Sequence, residues 1–100
     1  MDIPYIIVST TYNGASPEEI EEKVTKTLES SLASVGGMEK LSSTSKKGSS
    51  TITMQFSVDT NLDEASNTIR DRIDLVKKYL DELQYVKIET PFIAGKNDWS

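Results

Sequence analysis

The sequence predicts a single α+β domain with the element order β-α-β-β-α-β. Three observations carry this reading. Residues 5–12 form a β-branched and aromatic run, residues 51–58 alternate strictly between apolar and polar, and two longer stretches return an apolar residue every three or four positions behind a helix-capping signal. A chain of 100 residues makes one unit and buries roughly two thirds of its unfolded surface, enough for a modest core.

The first strand, YIIVSTTY at 5–12, puts Ile6 and Val8 on one face and Ser9 and Thr11 on a half-polar other face, with Pro4 suited to its entry. Asn13-Gly14 turns the chain. Ser16-Pro17-Glu18-Glu19 is then a capping box, with Ser16 at the N-cap, Pro17 at the first helical position and Glu19 reaching back. The helix is predicted to run to about Ser34, with Ile20, Val24, Leu28 and Leu32 as its apolar seam and Glu19–Lys23 and Glu22–Lys26 as exposed pairs. Gly36-Gly37 ends it.

Residues 38–45 (MEKLSSTS) make a weaker strand, because only Met38 and Leu41 are apolar, and Lys46-Lys47-Gly48 is the turn of a hairpin. In 51–58 the pattern is clean: Ile52, Met54, Phe56 and Val58 alternate with Thr51, Thr53, Gln55 and Ser57. Asn61, with Glu64 three residues on, caps a helix of about twenty residues whose stripe is Ala65, Ile69, Ile73, Val76, Leu80 and Leu83. Its opposite face carries Asn67, Asp71, Asp74 and Lys78. Val86 and Ile88 suggest a last short strand before Pro91, giving a domain over 1–93 and a tail over 94–100.

This order is the split βαβ, ferredoxin-like plan (βαββαβ), in which two helices pack on one face of a four-stranded antiparallel sheet. The second face would then be lined by Ser9, Thr11, Thr51, Thr53 and Gln55, with Ser43 and Ser45 beside them: hydroxyls and amides with few formal charges. Such a face either meets water or meets another domain or a weakly polar ligand, and periodicity does not separate the two.

Composition narrows the chemistry. Cysteine and histidine are absent, which removes disulfides, thiolate metal sites, thiol nucleophiles and the commonest general base. No catalytic residue, metal site or cofactor is expected, and the chain is not expected to be an enzyme. A net charge of -5 and a pI near 4.6 oppose binding to nucleic acid. Glu18, Glu19, Glu21 and Glu22 are explained by the positive end of the helix they start. Asp59, Asn61 and Asp63 look like the opening of a calcium loop but lack its glycine and distal glutamate, so they read as loop and cap. Lys46-Lys47, Arg70 and Arg72 read as solvated charges without the aromatic setting of an RNA-binding sheet. The turn after the first strand, Asn13-Gly14-Ala15, lacks the phosphate-holding arginine that the acylphosphatase form of this fold needs. No run approaches the ~20 apolar residues of a membrane span.

Two stretches, VSTTYNGASPEEIEEKVTKTLESSL and LSSTSKKGSSTITMQFSVDTNLDEASNTIRDRID, closely resemble the first periplasmic porter subdomain of the resistance-nodulation-division (RND) efflux transporters. The likeness covers about residues 3–83 and includes turn and cap residues at the same spacings as well as core hydrophobics. It implies a piece of a multidrug or solute efflux transporter that works as a trimer in the inner membrane, with the porter region on the periplasmic side. Ser9 and Thr51 would match substrate-contact positions, with Thr53 as a neighbour. The second helix would line the central pore, with Asp63 to Tyr79 as the trimer-contact stretch, above all its polar face of Asp63, Asn67, Asp71 and Asp74. The implied partners are the remaining porter subdomains, the membrane region of the same transporter and envelope adaptor proteins. The alternative is a free-standing ferredoxin-like module that binds a partner or a small ligand through its sheet or helices.

Overall fold

The computed structural model describes residues 3–80, 86–88 and 92–94. Three long strands, β1 (Tyr5–Tyr12), β2 (Met38–Lys46) and β3 (Ser49–Phe56), form an antiparallel sheet in the order β2-β3-β1. Helix α1 spans 17–32 and helix α2 spans Leu62–Leu80. The free edge of β1 takes two three-residue segments, β4 (Val86–Ile88) and β5 (Phe92–Ala94), both antiparallel to it. Thr10 faces Ile88 and Ile7 faces Phe92, so four steps along one side match three along the other, and the register slips by one residue. The segment expected at Val86 and Ile88 is β4; β5 was not anticipated, because FIA is too short to show a period. Apart from Ala94, the expected tail lies outside the described residues, as does Leu83.

The side that β1 and β3 bury is set by their pairing. Ile6 lies across from Met54 and Val8 across from Ile52, so these side chains share one face, and all four are fully buried. Phe56 continues the row. Against that face pack Val24, Leu28 and Leu32 of α1 and Ile69, Ile73 and Val76 of α2, in one continuous cluster. Each such side chain contributes about 1.5–3 kcal/mol by leaving water. Both helices therefore lie on the same side of the sheet, and no described element covers the other side.

The caps form as the letters predict. Ser16 Oγ accepts from Glu19 N–H at 3.2 Å, and Glu19 Oε1 accepts from Ser16 N–H at 3.4 Å. Asn61 Oδ1 accepts from the Asp63 and Glu64 amides at 3.0 and 3.2 Å, which is the cap role and not a calcium loop. Lys23 Nζ stands 3.8 Å from Glu19 Oε2, whereas Glu22 and Lys26 are both exposed and make no ion pair among the described residues. Arg72 departs from its expected solvated role. Its guanidinium donates to Ser31 O at 3.0 Å and Ser34 Oγ at 2.6 Å, so α2 supplies a donor to the open carbonyl end of α1.

Two irregularities reconcile the sequence with a one-sided core. Met38 and Leu41 are three residues apart, a spacing that points to opposite faces of a regular strand. A bulge between Met38 and Lys40 adds one residue, so Met38 pairs with Phe56 and Leu41 with Met54, and both pack against the core. The same register sets Ser43 against Ile52 and Ser45 against Ser50, which places these two serines on the helix side and corrects the expectation that they line the open face. Thr44 and Ser42 take that place, opposite Thr51 and Thr53.

The second irregularity is in α1. Between Ile20 and Thr25 the helix is π-wound, and the Lys26 N–H reaches back five residues to Glu21 O. An α-helix turns 100° per residue, so a strict every-fourth seam drifts by about 40° per step, or about 120° from Ile20 to Leu32. A π turn holds more residues per revolution and winds back part of that drift. Ile20, Val24, Leu28 and Leu32 are all fully buried.

Gly37 closes the link from α1 to β2. Its φ is +83°, and an added Cβ would lie 2.5 Å from Thr60 Oγ1, while its carbonyl accepts Ser57 N–H at 3.0 Å. Gly37→Ala is expected to cost about 2 kcal/mol or more, read as a lower urea midpoint, from the left-handed backbone and the clash together. Gly36→Ala has no atom within 4 Å of its new methyl and is expected to leave the midpoint nearly unchanged; equal effects of the two would refute this account. Arg72→Met is expected to lose about 1 kcal/mol in the same titration, and Arg70→Met, an exposed position, to lose nothing measurable.

Candidate functional site

The uncovered face of the sheet is built by the odd-numbered residues of β1 and β3. Ser9 stands directly across from Thr51, with Thr44 of β2 on the far side of Thr51. The next row is Ile7, Thr53 and Ser42, and the row after it is Tyr5, Gln55 and Lys40. Neighbouring strands lie about 4.8 Å apart, so Ser9, Thr51 and Thr53 form one contiguous patch of hydroxyls. Ser9 is exposed, and Thr51, Thr53 and Gln55 are half-buried. The sheet does bring together the three residues expected to touch substrate, and Lys40 at its edge is the only formal charge in these three rows.

Chemically this is a weak, tolerant surface. Each hydroxyl donates one hydrogen bond and accepts two, Lys40 is the one fixed charge and sits at the edge, and the Ile7 and Tyr5 side chains add apolar area in the same rows. It suits a mixed polar and apolar molecule held by many small contacts. It has no base, nucleophile or set of metal-ligating groups, and no His/Cys/Asp/Glu cluster with metal-holding geometry occurs among the described residues.

On α2, Asp63, Asn67, Asp71 and Asp74 follow one another at helical spacing and are all exposed, on the side away from the buried stripe. Beside them are Leu75 and Tyr79, exposed at 62% and 80%. Both fall within the expected contact stretch, but the sequence reading did not single them out. Their signal was present, because two apolar residues four apart that fall outside the stripe Ala65, Ile69, Ile73, Val76 and Leu80 make a second, narrower apolar line on the outer surface.

Two grooves lie away from the polar sheet face. One of about 430 Å³ is bounded by Gly37, Asp59, Thr60, Asn61, Glu64 and Thr68. The other, about 370 Å³, lies between the first turns of α1 and Ser45. No helix of the described residues is long and apolar enough to cross a membrane.

The sequence of the chain is similar to much longer proteins. It is 35% identical over 80 residues to multidrug resistance protein MdtC of Escherichia coli strain K12, covering 80% of the chain and 8% of that protein. MdtC of Citrobacter koseri gives 34% over 80 residues, with the same coverage. Swarming motility protein SwrC of Bacillus subtilis gives 28% over 76 residues, covering 76% of the chain and 7% of SwrC. The chain thus spans less than a tenth of the length of these relatives. The family model for the AcrB/AcrD/AcrF proteins matches residues 1–93. The chain belongs to the AcrB/AcrD/AcrF family of RND transporters.

Proposed function

We propose that the chain is a ferredoxin-like porter subdomain of an RND efflux transporter, and that its uncovered sheet face forms part of the route that exported compounds follow. The observation that carries this reading is the uncharged row Ser9–Thr51, with Thr53 beside it, left open by two helices that both pack on the opposite face. The strand order β2-β3-β1-β4 supports the ferredoxin-like plan. A surface that must pass many compounds gains from hydroxyls and apolar edges, since a fixed charge or a deep pocket would select one of them. The chain performs no bond chemistry in this reading and contributes shape and contact.

The outer face of α2 is the assembly surface. Asp63, Asn67, Asp71 and Asp74 form its polar line, and Leu75 and Tyr79 form the apolar anchor next to it. Three copies of the complete transporter would bring three such helices together around a common axis. The partners are the other porter subdomains and the membrane region of the same protein, with envelope adaptor proteins outside it, and the domain stands on the extracytoplasmic side of the inner membrane.

The test of the route uses the complete transporter. Ser9→Phe and Thr51→Phe, which fill the open face without touching the core, are expected to change which compounds the cells resist while protein level stays the same; an unchanged resistance profile would refute the assignment. The test of assembly uses Leu75→Ser with Tyr79→Ser. In the complete transporter the trimer fraction is expected to fall, while the unfolding free energy of the 100-residue chain stays within about 0.5 kcal/mol, as for other exposed positions. By itself the chain is expected to be monomeric or weakly trimeric in light scattering, because one helix per copy buries too little area for a tight complex. A tight dimer joined through the sheet would contradict the reading.

A further inference from the structure

The π-wound stretch of α1 sits against a chain of hydroxyls that the reading above does not use. Thr25, fully buried, ends that stretch. Its Oγ1 is 2.9 Å from Ser45 Oγ and 2.8 Å from Ser50 Oγ, which come from the two strands of the β2–β3 hairpin. Ser45 Oγ in turn donates to Glu21 Oε2 at 2.8 Å, and Glu21 is the residue whose carbonyl accepts the five-residue backbone bond from Lys26. The hairpin therefore grips both ends of the same turn, through Glu21 and through Thr25. Two residues on, Thr27 Oγ1 donates to Lys23 O at 3.2 Å, a back-bond that slightly destabilises and often bends a helix.

We propose that this hydroxyl clamp makes α1 a two-state helix, π-wound while Thr25 is held by Ser45 and Ser50 and α-wound when it is released. The physical basis is a near balance. The π turn keeps Ile20 under the core face together with Val24, Leu28 and Leu32, yet it uses a hydrogen-bond pattern that a free helix avoids. The clamp tips that balance, because Thr25 and Ser50 are buried and a lost bond leaves hydroxyls with no water to replace it. On release, one residue passes from the wide turn to the regular winding, and everything before it rotates by about 100° relative to Leu28 and Leu32. The moving part is the first turns of the helix, with Glu18 and Glu22, which border the 370 Å³ groove beside Ser45. The groove changes shape while β1, β3 and α2 stay packed. This is a hinge inside a helix, independent of whether the sheet face carries compounds.

The test is residue-resolved hydrogen exchange and Cα chemical shifts on the 100-residue chain with Thr25→Val, which keeps the shape of the side chain and removes its hydroxyl. The Lys26 amide is expected to exchange at least tenfold faster, and the shifts of residues 20–25 to move toward regular α-helical values, while the Ile69 and Ile73 amides of α2 keep their protection. A folded variant with unchanged Lys26 exchange and unchanged shifts overturns the proposal. So does a uniform acceleration of all core amides, which would make the hydroxyls ordinary core contacts. Should Thr25→Val not fold, Ser45→Ala breaks the half-buried link to Glu21 and is read in the same way, with at least a threefold acceleration confined to 20–26. Cα shifts of the unmodified chain that already show regular α-helix across 20–25 would also overturn it.

Discussion

Burial on one side of β3 constrains the remainder of the fold. Ile52, Met54 and Phe56 go under the helices and Thr51, Thr53 and Gln55 stay above them, because successive side chains on a strand point to opposite faces. A slip of one residue would drive three hydroxyl and amide groups into an apolar cluster and three large apolar side chains into water. The register with β1 is thereby fixed, and with it the side on which both helices must lie. That leaves Ser9 next to Thr51 on the uncovered face. The helices have no comparable freedom: α1 is launched by the Ser16 box directly over the sheet, and Arg72 of α2 reaches its far end.

The core is not uniform along its length. Around Phe56, Leu32 and Val35 it is apolar, and toward the hairpin it becomes a cluster of small hydroxyls, Thr10, Thr25 and Ser50, each buried. Thr25 and Ser50 satisfy each other, whereas Thr10 Oγ1 finds no partner among the described residues, and Ser66 Oγ of α2 is in the same position. Buried unpaired hydroxyls cost stability, about 1–3 kcal/mol each by mutational measures. One of the two, Thr10, lies across from Ser50 at the hairpin end, and the other is in the second turn of α2. The π turn of α1 also lies at the hairpin end, so it and Thr10, which both depart from ideal packing, coincide in space.

Much of this was legible in the letters. The β3 alternation, the Ser16 box and the Asn61 cap each depend on chemistry within a few residues of the chain; both caps are found where the pattern puts them, and the alternation holds for Ile52, Met54 and Phe56, but the strand ends at Phe56 and Val58, expected as its fourth apolar member, is exposed. What was not legible depends on distant partners. The bulge in β2 is imposed by the pairing of Met38 and Leu41 with Phe56 and Met54, so nothing local announces it, and the expected placement of Ser43 and Ser45 failed for the same reason. The π turn was half visible, because a seam that repeats strictly every four residues cannot stay on one side of a regular helix. Arg72 looked like a surface charge because its acceptors lie about forty residues away. On the candidate site, the hydroxyl patch followed directly from the β3 period. Leu75 and Tyr79 were hidden behind the stronger stripe they lie beside.

Strand β2 is the outermost of the three long strands, with nine residues and one side of its backbone unpaired within the described sheet. Long exposed edges invite other chains to add themselves and build fibrils. The bulge at Met38/Lys40 interrupts the regular spacing of donors and acceptors, and Lys40 and Lys46 set two exposed positive charges along the strand. An incoming copy would meet a kinked template and a strand with charges of both signs, Glu39 beside Lys40 and Lys46. The irregularity that lets a poorly patterned strand reach the core thus also makes its rim a poor template for a further strand.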